Sequence, residues 1–212
     1  MQGELLPLFP LNVVLFPRTS LPLHIFEDRY KEMISDTLEE HTEFGVVLAR
    51  EQGIVNVGCT ATVETVYKRY SDGRMDIGTV GRRRFELLLL NEEKSYLRGP
   101  VQFFDDAEED PAPLPLKQKA FDAFEALRSL EQSGPALKPD LGDPQLSFQL
   151  AQIVADLDFR QTLLGLRSEN ERLRRIVDFL EEFIPRQRYV GRMKSVAPSN
   201  GKGQQPGSLL EP

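Results

Sequence analysis

Few side chains in this 212-residue chain could do covalent or metal chemistry, and their spacing is poor for it. There are two histidines, His24 and His41, and one cysteine, Cys59. None of the three shows the short local spacing typical of zinc sites. His24 within an apolar run and His41 just past a helix read as structural, and Cys59, mid-strand among small residues, reads as a buried, inert thiol. The nearest approach to a phosphate-binding loop is Gly53 to Thr60, with Cys59 where a lysine would reach the phosphates. Gly58 there opens a strand, so no helix N-terminus would face an anion. A Ser–Lys or Ser–His pair meets only in space and carries no fixed spacing, so the sequence leaves it open. No catalytic residue, cofactor or metal ligand is assigned.

Binding chemistry is better represented. Lys68, Arg69, Arg74, Arg82, Arg83 and Arg84 set six cations against Asp72 and Asp76, a local net of +4 in a chain of net charge −7. Paired with acids such as Glu27 or Glu64, they would form a solvated strand end; unpaired, they would make a docking patch for an acidic peptide or a phosphate backbone. Strict alternation puts Arg83 opposite Arg82 and Arg84. A second candidate surface is apolar: Phe9, Pro10, Leu11, Leu21 and Pro22 could line a shallow site for unfolded segments, which bind sheet edges through backbone hydrogen bonds. The competing reading buries all five in the core.

These residues need elements to hold them. Pro7, Pro10, Pro17 and Pro22 interrupt the apolar run Leu5 to Met33, which excludes a helix and leaves extended pieces at strand starts, edges or crossovers. Leu6, Leu8, Leu11, Val13, Leu15, Phe16, Leu21, Leu23 and Ile25 should point inward. From Phe26 the period becomes helical, through Tyr30, Met33, Ile34 and Leu38, on a helix starting near Glu27 or Asp28. Strands follow over Glu43 to Arg50, Ile54 to Val57, Gly58 to Tyr70, Met75 to Gly81, Phe85 to Leu90 and Tyr96 to Phe104, with a hairpin turn at Ser71 to Arg74. In the Gly58 strand Cys59, Ala61, Val63, Thr65 and Tyr67 share one face. Asp105 to Pro115 reads as an exposed acidic and prolyl linker. Three helices are predicted beyond it: Lys117 to Glu131, stopped by Gly134-Pro135; one capped by Asp143 and carrying Leu146, Leu150, Ile153, Val154 and Leu157; and one opened by Ser168 and Glu171, with Leu173, Ile176, Val177, Leu180 and Ile184 inward until Pro185 ends it. The expected organisation is α+β: six or seven short strands with one inserted helix, forming a strongly curved sheet or small barrel, over residues 1–110, a helical bundle subdomain over 111–190, and a disordered tail over 191–212. With pI ≈ 5.1 the chain as a whole repels phosphate backbones and anionic lipid, which argues against nucleic acid and membrane partners. A single cysteine and no long apolar segment point to a cytoplasmic protein.

The run Leu6-Pro7-Leu8-Phe9-Pro10-Leu11, with Val14-Leu15-Phe16-Pro17, Leu21-Pro22-Leu23, Ile25-Phe26-Glu27 and Arg29-Tyr30, resembles the opening of the Lon protease N-terminal domain. Phe44 to Leu48, Val57 to Ala61, Asp72-Gly73-Arg74, Gly81 and Arg84-Phe85 agree with it, and the likeness covers roughly residues 5 to 185. It implies a PUA-like β pseudo-barrel of about six strands with one inserted helix, followed by an α-helical bundle subdomain, and a substrate-recognition module of the kind that serves proteolysis or quality control, binding unfolded or tagged proteins, with a Lon-type protease as a candidate partner. Lon continues into an ATPase and a Ser–Lys protease domain; neither follows in this sequence. The expectation is therefore a non-enzymatic, ATP-independent protein or peptide binder that acts as an adaptor or regulator. The alternative is a PUA-like RNA binder using the arginines.

Overall fold

The proline-interrupted opening forms two short strands, β1 (Leu6–Leu11) and β2 (Ser20–Ile25). The computed structural model describes residues 5–107, 111–130 and 138–196. Helix α1 (Asp28–Glu40) follows β2 and buries Tyr30, Met33, Ile34 and Thr37. Phe26, expected on that stripe, precedes the first turn and is 59% exposed. The helix ends at His41, whose left-handed backbone (φ 54°) lets its N–H reach Thr37 O.

Then come β3 (Phe44–Arg50), β4 (Gly53–Arg69) and β5 (Met75–Leu87). Strands expected as separate pieces are fused in β4 and β5. Their turn relies on Gly73 at φ 85°, a conformation glycine adopts without cost. The β4–β5 ladder shifts register three times, and each bulge moves later side chains to the opposite face. The predicted alternation is thereby overturned at its far end: Val66 packs on the core and Tyr67 is 68% exposed.

The last strands, β6 (Arg98–Gly99) and β7 (Val101–Phe103), flank Pro100. The hydrogen-bonded order is β2-β5-β4-β3-β1-β6, with β7 paired to the far half of β5. Among the described residues only the β1–β3 pair is parallel; the other pairs are antiparallel. The α+β class and the inserted helix are as expected, but the sheet does not close into a barrel, because β2 and β6 end the order. The nearest thing to closure is Arg98 to Phe103, whose halves pair with β1 and β5 on either side of a proline that cannot continue a ladder.

The helical part comprises α2 (Leu114–Arg128), α3 (Leu146–Leu150) running into a 3-10 turn (Ala151–Ile153), α4 (Leu157–Gly165) and α5 (Glu169–Val196). The single helix expected after Asp143 is broken. Val154 is extended, and Asp156 starts α4 by accepting the Phe159 N–H at 2.9 Å. The last helix is capped as expected, with the Glu171 N–H on Ser168 Oγ at 3.0 Å, and its five stripe residues are buried. It does not stop at Pro185: a proline removes one donor, and the apolar turns before it already anchor the helix. The Gly134-Pro135 stop and the tail from residue 197 onward lie outside the described residues. Helices α2 and α3 pack on α5, and α4 packs on β4. One continuous apolar core joins sheet and helices, with Phe16 stacked on Phe148 at 5.1 Å.

Candidate functional site

The five apolar candidates separate. Phe9 is 5% exposed, with its ring 4.1 Å from that of Tyr30, so it belongs to the core. Pro10 and Leu11 lie in β1, which sits between β3 and β6 and is half-buried there. Leu21 is half-buried against the core and Pro22 is exposed, both in β2. Between β1 and β2 stand β3, β4 and β5, so the residues do not line one groove. What survives is the edge. Among the described residues β2 pairs only with β5, leaving its other side free, and an edge is where a proline costs least.

The free edge leads into a groove that sequence reasoning missed. Pro17, Arg18, Thr19 and Ser20 form one wall, and Lys138, Gln145, Phe148, Gln149 and Gln152 the other, around a cavity of about 350 Å³. Arg18 adopts a left-handed backbone (φ 59°) and binds Asp143 at 2.6 Å across the groove. A segment joining two prolyl strands and a helix 130 residues later share no sequence pattern that would reveal them as neighbours. Further along β2, His24 Nδ1 hydrogen-bonds Asp76 Oδ1 at 2.5 Å, and the Tyr70 hydroxyl donates to Asp76 Oδ2 at 2.8 Å. The His24 bond first and the Tyr70 bond second hold the Asp76 carboxyl below the usual range.

The basic candidates also divide. Lys68 lies over the Tyr70 ring at 4.4 Å, Arg69 is exposed, and Arg74 pairs with Asp72 at 2.7 Å, all near the β4–β5 turn. Arg82 pairs with Glu64, and Arg83 with Glu43 at 3.1 Å while covering the Phe103 ring. Eight residues of strand separate Arg74 from Arg82, about 26 Å. Because the ladder shifts register between Cys59 and Ala61, Arg82 and Arg83 are both exposed and the expected alternation fails.

Arg84 is not on a surface at all. Its side chain is 1% exposed, and it donates to Leu166 O at 2.5 Å and to Asp106 Oδ1 at 2.7 Å. Arg172, fully buried on α5, takes both oxygens of the same carboxylate at 2.6 Å and also binds Glu169 at 2.8 Å. Asp106 thus locks β5 to α5, although the sequence places it in a linker. Burial raises its carboxyl, and the two guanidiniums, Arg172 foremost, overcome this and leave it lowered. Burial likewise raises Glu169, which accepts from Ser147 N and Oγ. Ser147 is itself fully buried, so this serine–carboxylate pair cannot meet a substrate.

The remaining chemical candidates have structural places. The Cys59 thiol is buried and pushed up to about 12 by desolvation. Gly53 to Thr60 lies wholly inside β4, so the glycine pattern forms no phosphate cradle. Among the described residues no three or more His, Cys, Asp or Glu side chains gather as a metal site would need. No helix among them is long and apolar enough to cross a membrane.

The sequence profile of the ATP-dependent protease La (LON) substrate-binding domain matches residues 5–182, most of the chain. This chain belongs to that family. A Lon protease of Parabacteroides distasonis is 30% identical over 117 residues, 51% of this chain and 14% of its own length. Lon protease 1 of Hydrogenovibrio crunogenus is 25% identical over 188 residues, 82% of this chain and 23% of its own. The chain therefore spans less than a quarter of these curated relatives. The same fold occurs in a Lon N-terminal domain protein from Xanthomonas campestris, with a TM-score of 0.68 and 22% identity, over 82% of this chain and 98% of that one. It occurs again in the N-terminal domain of a Mycobacterium avium complex Lon protease, with a TM-score of 0.63 and 17% identity, over 84% and 98%. A substrate-recognition module is what the LON family match supports.

Proposed function

We propose that this chain is a non-enzymatic binding module that holds extended polypeptide along the free edge of β2, with Leu21 and Pro22 beside the peptide and the groove from Pro17 to Gln152 receiving one end of it. The observation that carries this reading is that β2 has an edge left unpaired among the described residues and that its first residue, Ser20, lines a cavity of about 350 Å³. Strand addition uses backbone hydrogen bonds and so tolerates many sequences, as a recogniser of unfolded or tagged proteins requires. Gln152 brings an amide able to pair with peptide groups to the cleft, whereas Gln145 accepts from Arg18 and Gln149 is held between the Asp140 N–H and Asp143. The module would act in the cytoplasm as an adaptor or regulator of proteolysis or quality control, with a Lon-type protease as partner. The LON family membership supports the substrate role, and the buried state of Cys59 and Ser147 fits a protein without turnover.

The arginines favour the peptide reading over RNA. Arg82 and Arg83 are engaged by acids and Arg84 is internal, which leaves Lys68 and Arg69 as a small cationic remnant. The test is a salt titration of binding to two probes, reduced and carbamidomethylated lactalbumin and a single-stranded RNA of about 20 nucleotides. Expected is binding to the unfolded protein that barely changes with salt and is lost in Pro22→Asp. Binding to RNA alone, falling steeply with salt, would refute the reading.

A further inference from the structure

Beyond β5 the chain runs Leu88-Leu89-Leu90, and these leucines are 54, 71 and 45% exposed. No other consecutive large apolar residues are exposed to this degree among the described residues. The segment is not a loose loop. Leu88 N–H donates to Pro100 O at 3.0 Å, and Asn91 and Arg98 exchange two backbone bonds at 2.7 and 3.0 Å, so the leucines stand on a short hairpin arm flanking β6. A Cβ at Gly99 would fall 2.2 Å from Leu89 O, so only glycine lets the arm lie this close. At the base of the arm Leu87 and Leu97 pack with Val101 on a small buried cluster of Leu8, Val47 and Phe85.

The surroundings are acidic. Glu86 lies just before the leucines, and Glu92 and Glu93 just after them. The same hairpin reaches helix α1, where Ser95 Oγ donates to Glu32 at 2.7 Å and Lys94 Nζ binds Asp36 at 2.7 Å. Counted along the arm and its contacts on α1, Glu86, Glu92, Glu93, Glu32 and Asp36 stand against Lys94 and Arg98, a local net of −3. Lys94 is already committed to Asp36 and the Tyr96 hydroxyl, and Arg98 to Asn91 and Glu93.

From this we infer that the Leu88–Leu90 arm is a second docking surface, separate from the β2 edge, and that its partner is a cationic amphipathic polypeptide segment. An apolar platform needs an apolar face to cover it, and a carboxylate rim selects lysine or arginine around that face while rejecting acidic peptides, nucleic acid and anionic lipid. The module then has two contacts of different character: an edge that accepts backbone with little regard to sequence, and a platform that reads apolar and basic side chains.

The test uses fluorescence anisotropy with the full chain and two labelled peptides of about 16 residues, one built from Leu and Lys at helical spacing and one with Glu in place of Lys. The Leu/Lys peptide is expected to bind and the Leu/Glu peptide to bind at least about tenfold more weakly. Leu89→Asp should lose about tenfold or more. Leu89→Ser, which adds no charge, should lose a part of that with the thermal midpoint unchanged. Glu92→Lys with Glu93→Lys should weaken binding several-fold at about 0.05 M salt and less at high salt, while Glu182→Lys on α5 leaves it unchanged. Equal binding of the two peptides, or no loss in Leu89→Asp, overturns the inference. So does sedimentation showing a dimer of this chain that Leu89→Asp dissolves, because the platform would then be filled by a second copy. Pro22→Asp leaves this binding intact, which keeps the result independent of the β2 reading.

Discussion

Replacing Asp106 with alanine removes the one carboxylate shared by two buried guanidiniums. It accepts three hydrogen bonds of 2.6 to 2.7 Å, one from Arg84 and two from Arg172. A hydrogen bond to a charged group is worth about 1.5–3 kcal/mol net, but the three losses do not simply add. Arg172 keeps Glu169, Ser147 Oγ and Leu166 O, and Arg84 keeps Leu164 O and Leu166 O. The Asp106 side chain also retains 16% exposure. The expected cost is that of breaking one buried ion pair, about 3–5 kcal/mol, most of it from leaving guanidinium charge underneutralised. With a urea slope of about 2–3 kcal/mol/M for a chain of this size, the midpoint should fall by about 1–2.5 M. Unfolding followed by circular dichroism measures this. Asp106→Asn should cost less, because one acceptor remains. The pH dependence has a defined sign: the lowered carboxyl contributes stability that is complete above the unfolded value of about 3.9 and is lost as pH falls through the folded one. The stability gap between the natural chain and Asp106→Asn should therefore shrink below about pH 4. Glu169, raised by burial, acts in the opposite sense, and Glu169→Gln isolates it. A loss under about 1 kcal/mol in Asp106→Ala would refute the claim that this carboxylate locks the sheet to the helices.

Phe9→Ala should cost about 3–5 kcal/mol in the same urea assay, whereas Pro22→Ala should stay within about 1 kcal/mol, separating the buried from the exposed member of the apolar set. Cys59, buried with its thiol pushed up to about 12, should react with a disulfide reagent at pH 8 only as fast as the fold opens, and at once in denaturant. Arg82→Ala and Arg83→Ala should each change stability by less than about 1 kcal/mol, because their ion pairs are exposed; double-mutant cycles with Glu64 and Glu43 check this.

Most of the fold was legible because local chemistry and tertiary structure agree: prolines excluded a helix, Asp72-Gly73 marked the turn, and the Leu173 to Ile184 stripe marked the last helix. Three things were not legible. Bulges in the β4–β5 ladder have no residue signature, and they exposed Tyr67 and turned Arg82 and Arg83 the same way. A run of acids looks solvated whichever member is buried, so Asp106 could not be told from its neighbours until Arg84 and Arg172 were seen against it. The Pro17 to Ser20 wall meets α3 only through the tertiary fold, so the groove left no trace in spacing. Sheet order also separates the apolar candidates: the two prolyl strands are close in sequence but three strands intervene between them, and of these two only β2 has an edge left unpaired among the described residues.

Amide hydrogen exchange with and without saturating carbamidomethylated lactalbumin addresses the central claim most directly. If extended chain adds to the free edge, amides of Ser20–Ile25 and the preceding Arg18 and Thr19 gain protection, while β1, already flanked on both sides, changes little. Saturable binding that leaves the β2 amides exchanging at their free rate would contradict it.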